Sequence, residues 1–289
     1  MDTKERLVYW ITERERIRRK REMGLRKPWS DDPVFQSTYF CNVRREDDKT
    51  TRYIRRHFKP WSTHPMLLYN TVLARFLNWP DSIDDVGFIE HHDPIYLMNV
   101  LEGRARAGFQ VWSGAYIITT HGLPMGKVQY LVDNVLGATS KAVGANIFTP
   151  PVGQQPPTLA WLHGQLMRLE GLGSFLAAQV VADLKNTPGH WAFEAEDKET
   201  FVAPGPGSLR GVSWFHYGLS GKVTPKNFQE HFDAIRSYVD ANLDPGVGEF
   251  CNQDLQNCLC EYDKFMRVSR GVGKSKRNYN GYANSEKRA

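Results

Sequence analysis

The sequence predicts an all-α fold, and three observations lead to that prediction. Apolar residues recur at helical spacing along most of the 289 residues. Hydrophobic residues make up 41% of the chain and aromatic residues 12%, which is enough to fill a packed core. Only VWSGAYIITT at 111–120 has the composition of a strand or a short hairpin. We therefore expect helices throughout, with one β element at most.

The predicted helices begin with a charged helix over residues 3–22, which Gly24 ends. A short helix follows, with Ser30, Asp31 or Asp32 as its cap, and runs towards Phe40. The remaining helices are predicted over 49–58, 65–78, 94–106, 126–138, 157–169, 174–185, 207–217, 226–242 and 252–269.

Basic side chains are concentrated within 14–27 and within 270–288, and the net charge is +5. Such clusters favour a polyanionic partner, although a solvated helix face and a tail would have the same composition. We expect a flexible basic tail over 271–289. No apolar run reaches the roughly 20 residues of a membrane helix, and the charged N-terminus does not resemble a secretory signal. A cytoplasmic protein without membrane contact is therefore expected.

The segment LMRLEGLGSFLAAQVVADL at 166–184 has the pattern of two helices joined by a tight hairpin. Gly171 and Gly173 permit the backbone conformations that such a turn requires, and Leu172 can anchor the turn in the core. The helix that begins at Ser174 would offer its N-terminal N–H groups to a DNA phosphate. The alternative is a glycine-containing turn between two core helices.

This hairpin resembles that of the helix-hairpin-helix DNA glycosylases, in which the turn grips the DNA backbone near the target base. The resemblance implies a glycosylase-like fold, a single domain over 1–270 in two helical lobes around a cleft. One lobe would comprise about 30–185 with the hairpin, and the other 1–29 plus 186–270. It also permits a monovalent cation held by the carbonyls of the hairpin loop.

Two further segments bear on this resemblance. FQSTYFCNVRREDDKTTRYIRRHF at 35–58 resembles the helix–loop–helix that brings a polar loop to the displaced base, and chemistry on a base in duplex DNA requires its extrusion. In the glycosylases a catalytic aspartate follows the hairpin, where this chain has FVAPGPGS at 201–208. No carboxylate stands in that turn, so loss of base excision is the simplest interpretation. If base excision is retained, Asp197, which lies before this turn, is a candidate for the catalytic carboxylate.

The cysteines Cys41, Cys251, Cys258 and Cys260 do not suggest a disulfide scaffold in a chain of this size. The last three partly resemble the cysteine run of iron–sulfur glycosylases, but a cluster needs four thiolates and Cys41 is remote in sequence. We expect reduced cysteines and no metal held by them.

Longer segments resemble a narrower family. They are RERIRRKREMGLRKPWSDDPVFQSTYFCNVRREDDKTTRYI at 14–54, LNWP at 77–80, the hairpin, and NCLCEYDKFMR at 257–267. Together they resemble the α-glutamyl/putrescinyl thymine pyrophosphorylase family of bacteriophages, which are amino acid:DNA transferases. They are also similar to the helical domain of 5-hydroxymethyluracil DNA kinases.

The resemblance implies hypermodification of thymidine in phage DNA, inside the infected bacterial cell. A kinase of the same pathway would place pyrophosphate on 5-hydroxymethyluracil in double-stranded DNA. This chain would then replace the pyrophosphate by the amine of an amino acid or polyamine, with or without Mg²⁺ on the pyrophosphate. Two alternatives stay open: a glycosylase that excises a modified or damaged base, and a non-catalytic DNA-binding protein of the modification complex.

The expected site residues follow from this chemistry. A departing pyrophosphate is stabilised by guanidinium groups and helix N-termini, and the incoming amine needs a carboxylate base. The alternative for each charged residue is an ordinary surface ion pair. The predicted catalytic residues are Arg44, Arg45, Glu46, Asp47 and Asp263. The predicted substrate-binding residues are Asn42, Arg52, Gly205, Gly207, Ser208, Glu261 and Lys264. The predicted DNA-binding residues are Gly171, Leu172, Gly173 and Ser174.

Overall fold

The structure, a computed structural model, describes residues 1–114, 118–150 and 157–272. Within these ranges the protein is helical and no β-strand is present, as the sequence predicts. The expected β element at 111–120 is wrong in its described part, since 111–114 and 118–120 form turns and irregular structure. Residues 115–117, and 273–289 of the predicted basic tail, lie outside the described residues.

Twelve α-helices are present in the described part of the chain. They are α1 (Thr3–Glu22), α2 (Pro33–Ser37), α3 (Lys49–Phe58), α4 (Leu67–Leu77), α5 (Pro80–Val86), α6 (Pro94–Arg106), α7 (Lys127–Gln129, continued by the π-helical turns Tyr130–Leu136 and by Gly137–Gly144), α8 (Leu159–Leu166), α9 (Ser174–Leu184), α10 (Pro206–Tyr217), α11 (Phe228–Asn242) and α12 (Asn252–Ser269). Short 3₁₀ turns lie at Arg45–Asp47, Lys59–Trp61, Trp191–Glu194 and Pro245–Val247.

The chain divides into two compact units. Among the described residues, unit 1 contains 1–48 and 204–272, and unit 2 contains those between 49 and 203. Two segments, 30–48 and 186–203, belong to the other unit than the expected lobes would place them in. Segment 30–48 groups with unit 1 because its aromatic side chains pack on α12, with the Phe35 and Phe265 ring centroids 5.5 Å apart.

Segment 186–203 groups with unit 2 because Asp197 caps α8. The Asp197 carboxylate accepts the backbone N–H groups of Leu159 at 2.7 Å and Ala160 at 3.0 Å. A carboxylate at this position satisfies the first N–H groups of the helix and complements its dipole. Asp197 therefore has a structural partner in the first turn of α8.

Helix α4 lies at the centre of unit 2, where all of its residues are buried. Its one arginine, Arg75, pairs with Asp183 of α9 through two hydrogen bonds, and the two side chains are only 2% and 5% exposed. Arg75 also donates to the Thr51 hydroxyl at 3.1 Å. Burial of this ion pair is tolerated because both charges are hydrogen-bonded.

The closest helix contact in unit 1 is between α10 and α12. A Cβ added to Gly211 would lie 2.1 Å from the carbonyl oxygen of Leu259, and one added to Gly207 would lie 3.1 Å from the Cys260 side chain. Only glycine allows two helix backbones to approach so closely. Helix α1 packs beside them, and the Tyr262 hydroxyl donates to the Thr3 carbonyl at 2.6 Å.

None of the helices in the described residues combines the length and the apolar character that crossing a membrane requires.

Candidate functional site

The loop after α2 is organised around Asn42, a residue predicted to bind substrate. Its backbone N–H and its side-chain amide both donate to Asp48 at 3.0 Å, and the amide also donates to the Asp47 carbonyl at 2.8 Å. The Asn42 side-chain oxygen accepts from Arg14. All polar groups of the side chain are therefore engaged within the loop, and Asn42 holds the shape of 42–48.

Arg14 supports this loop from α1, a role that no local sequence pattern indicates. Its Nε donates to the carbonyls of Phe40 and Cys41, at 3.3 and 2.9 Å. The side chain is 4% exposed, and its Nη1 has no hydrogen-bond partner within the described part of the chain. Burial lowers the pKa of Arg14, although its normal value is high enough to keep the group charged.

The two arginines predicted to stabilise the leaving group have different environments. Arg44 donates to the carbonyls of Glu249 at 2.9 Å and Val247 at 2.5 Å, and its Nη1 lies 3.4 Å from Glu15. Arg45 is tied by its backbone N–H to Asp254 at 3.0 Å. Its guanidinium is buried, and its Nε has no hydrogen-bond partner among the residues described. Of the two, Arg45 is the one with a buried N–H donor that is not used within the described residues.

Several predicted acidic residues are already paired with cations. Glu261 lies 2.6 Å from Lys264 and accepts the Cys41 N–H at 3.1 Å. Asp47 lies 3.3 Å from Arg18. Glu261 and Lys264 thus lie next to the loop and hold its first residues in place, and their predicted role in substrate binding stays a prediction.

Asp263 is buried in α12 and forms hydrogen bonds that join this helix to α10. One oxygen accepts from Arg210 at 2.9 Å and from Arg267 at 3.3 Å, and the other accepts from the Trp214 indole at 3.1 Å. These contacts to α10 indicate a packing role. Its predicted role as a base stays a prediction without a contact in its favour.

Asp48 is a further acidic residue in the loop, and sequence reasoning did not select it. Burial raises the pKa of the Asp48 carboxyl, and this outweighs the N–H groups of Asn42 and the charge of Arg45, which lower it. A carboxyl with a raised pKa is better matched to accepting a proton near neutral pH. The pattern NVRREDD does not distinguish Asp48 from its acidic neighbours, because its hydrogen bonds from Asn42 and its raised pKa arise only in the folded loop.

The turn Gly205–Ser208, predicted to receive an anion, is occupied by its own hydrogen bonds. The Gly205 N–H donates to the Ser208 hydroxyl at 3.0 Å, and that hydroxyl donates back to the Gly205 carbonyl at 3.0 Å. Ser208 is fully buried. Together with the contact of Gly207 on Cys260, this pattern indicates that the turn starts and packs α10.

The remaining predicted substrate residue, Arg52, lies on α3 in unit 2. The predicted DNA-binding residues also lie in unit 2, at the turn between α8 and α9. Gly171 has a φ of +79°, and a Cβ there would lie 2.6 Å from the Val135 side chain. Leu172 is buried in the core of the unit, as predicted.

Gly173 differs from Gly171 in both conformation and surroundings. It is the N-cap of α9 with a φ of −73°, it is exposed, and an added Cβ would meet nothing within 4 Å. The fold therefore requires glycine at 171 but not at 173. An approaching DNA backbone would give a reason for glycine at the exposed position.

Valine at position 173 is expected to weaken DNA binding while leaving the fold intact. The Gly173→Val side chain would stand at the N-terminus of α9, between its N–H groups and a phosphate, and we expect about a tenfold loss of affinity for any duplex sequence. Fluorescence anisotropy at several salt concentrations measures the loss. The control is Gly164→Val, because a Cβ on Gly164 of α8 also meets nothing within 4 Å. Equal affinity of the two variants would remove the hairpin from the interface.

The cysteines do not form a metal site in the described residues. None of the four forms a disulfide there, and no group of three or more His, Cys, Asp or Glu side chains among the described residues is placed to hold an ion. Burial raises the pKa of Cys41 and Cys258, and that of Cys260 to about 12. These thiols are therefore protonated at neutral pH, and Cys258 is a core residue.

Comparison with known proteins places the chain in a family. A family model described as the 5-hmdU DNA kinase helical domain matches residues 2–275, which is nearly the whole chain. The chain belongs to this helical-domain family. A curated relative, a 5-hmdU DNA kinase of Bacillus phage SP10, is 31% identical over 118 residues. That match covers 37% of this chain and 18% of the relative. No solved structure matches.

The family assignment agrees with one part of the predicted resemblance. The curated relative comes from a phage, and its name describes a kinase that acts on 5-hmdU in DNA. The family model is named after the helical domain of such kinases. Membership of the narrower transferase family and of the helix-hairpin-helix superfamily does not follow from this assignment, and both stay predictions.

Proposed function

We propose that this helical domain modifies 5-hydroxymethyluracil in phage DNA by exchanging its pyrophosphate for an amine. The double-stranded DNA would carry the pyrophosphorylated base, made by a kinase of the same pathway. The amine would come from an amino acid or a polyamine. The family match supports a role in DNA modification, and the proposed fold remains the glycosylase-like arrangement with the hairpin on the DNA backbone.

The observation that carries the proposed reaction is that one loop contains both a buried arginine and a carboxylate with a raised pKa. Arg45 retains an Nε without a hydrogen-bond partner among the described residues, and Asp48, three residues on, has a carboxyl with a raised pKa. The Asp48 N–H donates to the Arg45 carbonyl at 3.0 Å, so a single 3₁₀ turn fixes both residues. One loop thus offers a cation for a departing anion and a base for an incoming amine.

The proposed step is a substitution at the CH₂ group of the base. The amine nitrogen forms a bond to that carbon, and the carbon–oxygen bond to pyrophosphate breaks with its electron pair leaving on oxygen. Asp48 accepts the proton that the new ammonium loses, and Arg45 faces the negative charge that develops on pyrophosphate. Cations aimed at that charge are most effective in the transition state. A Mg²⁺ ion on the pyrophosphate and a monovalent cation at the hairpin are compatible with this scheme.

The glycosylase alternative has less support. Asp197, the displaced carboxylate that it would use, caps α8 through both of its oxygens. A carboxylate engaged in this way is poorly placed to attack a sugar carbon or to activate water. The other alternative is a non-catalytic protein of the modification complex, which would bind DNA without catalysing a reaction.

A pyrophosphate-release assay tests the proposed function. The full chain is incubated with a duplex carrying pyrophosphorylated 5-hydroxymethyluracil and a mixture of glycine, glutamate and putrescine. We expect pyrophosphate release that depends on both the protein and the amine. Abasic sites would identify a glycosylase, and binding without either product would identify a non-catalytic protein.

Removal of the Arg45 guanidinium is expected to slow the chemical step. Arg45→Ala should lower the single-turnover rate of pyrophosphate release by about a hundredfold, the scale for loss of one donor to a developing anion. Affinity for unmodified DNA should change little, because the side chain is buried. The control is Arg16→Ala, which removes a cation that is 56% exposed on α1. A rate for Arg45→Ala equal to that of this control would exclude Arg45 from the reaction.

A further inference from the structure

Helix α3 has a buried side and a cationic side. Its buried residues are Thr51, Ile54 and Phe58. Lys49 and Arg56 on the helix, and Lys59 at the start of the 3₁₀ turn that continues it, are all exposed. They follow one another at separations of seven and three residues, so they lie on one side of the helix, away from its buried residues. We call these three residues the α3 cationic face.

The charge of this face is not neutralised inside the protein. Within the described part of the chain, no ion pair or hydrogen bond reaches the side chains of Lys49, Arg56 or Lys59. A carboxylate that does contact α3, Asp84, accepts instead from the Tyr53 hydroxyl. Like charges that share a helix face repel one another. A polyanion on this face would relieve that repulsion.

The basic residues of α1 have a different environment. Arg16 lies 2.6 Å from Glu13. Arg18 and Arg19 lie 2.6 and 3.1 Å from Glu15. The sequence predicts a polyanion-binding cluster within 14–27, and in the structure much of the charge of that cluster is compensated by neighbouring carboxylates. The uncompensated charge of the α3 cationic face therefore makes it the better candidate for a polyanion.

Helix α3 is held against the second helix of the hairpin. Thr51 of α3 accepts from Arg75 at 3.1 Å, and Arg75 pairs with Asp183 of α9. All three side chains are buried, so this network fixes α3 relative to the helix that begins at Ser174. Two contact points at a fixed separation suit a partner that is itself stiff over that distance, as duplex DNA is.

We infer that the α3 cationic face binds the phosphate backbone of duplex DNA, in addition to the contact proposed for the hairpin. This inference rests on the proposed function and names a second surface for its DNA substrate. From Lys49 to Lys59 the face extends about 15 Å along the helix, which is about the axial length of four nucleotides of one strand. Phosphate contacts position a protein on DNA without reading the bases, so the same face would serve modified and unmodified DNA.

The test compares two double variants of the full chain. Lys49→Gln with Lys59→Gln removes two cations from the α3 cationic face. The control, Lys141→Gln with Lys226→Gln, removes two lysines that are also exposed and also have no ion pair in the described part of the chain. Both variants lose two positive charges, so any general loss of attraction to DNA is matched. Fluorescence anisotropy with an unmodified duplex gives the affinity at several salt concentrations.

We expect the plot of log affinity against log salt to become shallower by about 2 for the α3 variant, which is about 0.9 for each lost phosphate contact. The control should keep the slope of the wild-type chain. Equal slopes in the two variants overturn the inference. A shallower slope found with single-stranded DNA alone would also overturn it, as would a wild-type chain that does not bind duplex DNA.

A single substitution covers the case in which the double α3 variant unfolds at a lower temperature than its control. Lys59 lies beyond the last residue of α3, so Lys59→Gln leaves the helix itself unchanged. It is compared with Lys141→Gln, and a change of about 1 in the slope is expected. Equal slopes for these two variants overturn the inference in the same way.

The two proposals can fail separately, because this test measures binding without any chemical step. A shallower slope in the α3 variant, without amine transfer by the wild-type chain, would support the α3 cationic face and contradict the transferase function. Amine transfer by the wild-type chain, with equal slopes in the two variants, would support the function and contradict the α3 cationic face.

Discussion

Replacement of Asp183 by alanine is expected to destabilise unit 2 by about 3–5 kcal/mol, because it leaves the buried Arg75 charge without its partner. Both side chains are almost fully inaccessible to solvent, and Asp183 accepts from two nitrogens of the guanidinium. Thr51 accepts one further hydrogen bond, which cannot balance the charge. The free energy of unfolding, measured by urea denaturation, tests this expectation.

An exposed ion pair in the same unit provides the control. Arg106 and Glu102 on α6 lie 3.5 Å apart with exposures of 69% and 43%. Glu102→Ala should cost less than about 1 kcal/mol, since such pairs are screened by solvent. Arg75→Met combined with Asp183→Leu should recover much of the lost stability, because an apolar pair removes the uncompensated charge. A cost for Asp183→Ala no larger than that for Glu102→Ala would contradict the account of this core.

Alanine at Gly211 is expected to destabilise unit 1 by roughly 3 kcal/mol or more, at the upper end of overpacking effects. The added methyl group would meet the Leu259 carbonyl at 2.1 Å, and this backbone atom cannot rotate away. Helices α10 and α12 would have to separate. That movement would also disturb the Asp263 contacts to Arg210 and Trp214.

Replacement of glycine by alanine should have the opposite effect on stability at Gly103. This glycine lies inside α6, and an added Cβ would meet nothing within 4 Å. Gly103→Ala should therefore stabilise the protein by about 0.5–1 kcal/mol, as expected for glycine within a helix. The midpoint of thermal unfolding distinguishes the variants, and an equal shift at both positions would contradict the close α10–α12 contact.

Most of the helices could be predicted because their signals are local. The predicted start and end of α1 agree with the structure, where Asp2 caps the first turn and accepts from Lys4 and Glu5 at 2.8 Å. Helix α5 is absent from the predicted helices because proline usually follows the end of a helix, whereas Pro80 is the first residue of α5. The π-helical turns Tyr130–Leu136 were missed because their apolar residues have no distinctive period.

The candidate site was harder to predict, because its contacts join distant parts of the chain. Gly171 could be recognised from a local turn pattern, and its φ of +79° agrees with that pattern. Two of the three partners of Asp263 lie on α10, 49 and 53 positions earlier, and no local pattern reveals them. The sequence places Arg14 in the basic cluster of 14–27 and does not reveal its burial, which depends on a chain reversal that brings 40–42 against it.

The central claim is that this helical domain transfers an amine to a pyrophosphorylated base in DNA. Mass spectrometry of nucleosides, after incubation of the protein with pyrophosphorylated 5-hydroxymethyluracil DNA and a pool of amino acids and putrescine, tests it most directly. The account predicts a new nucleoside in which one amine stands in place of the pyrophosphate, and it predicts about a hundredfold slower formation of this nucleoside when Arg45 is replaced by alanine. Recovery of only the pyrophosphorylated nucleoside, or of abasic DNA, would contradict it.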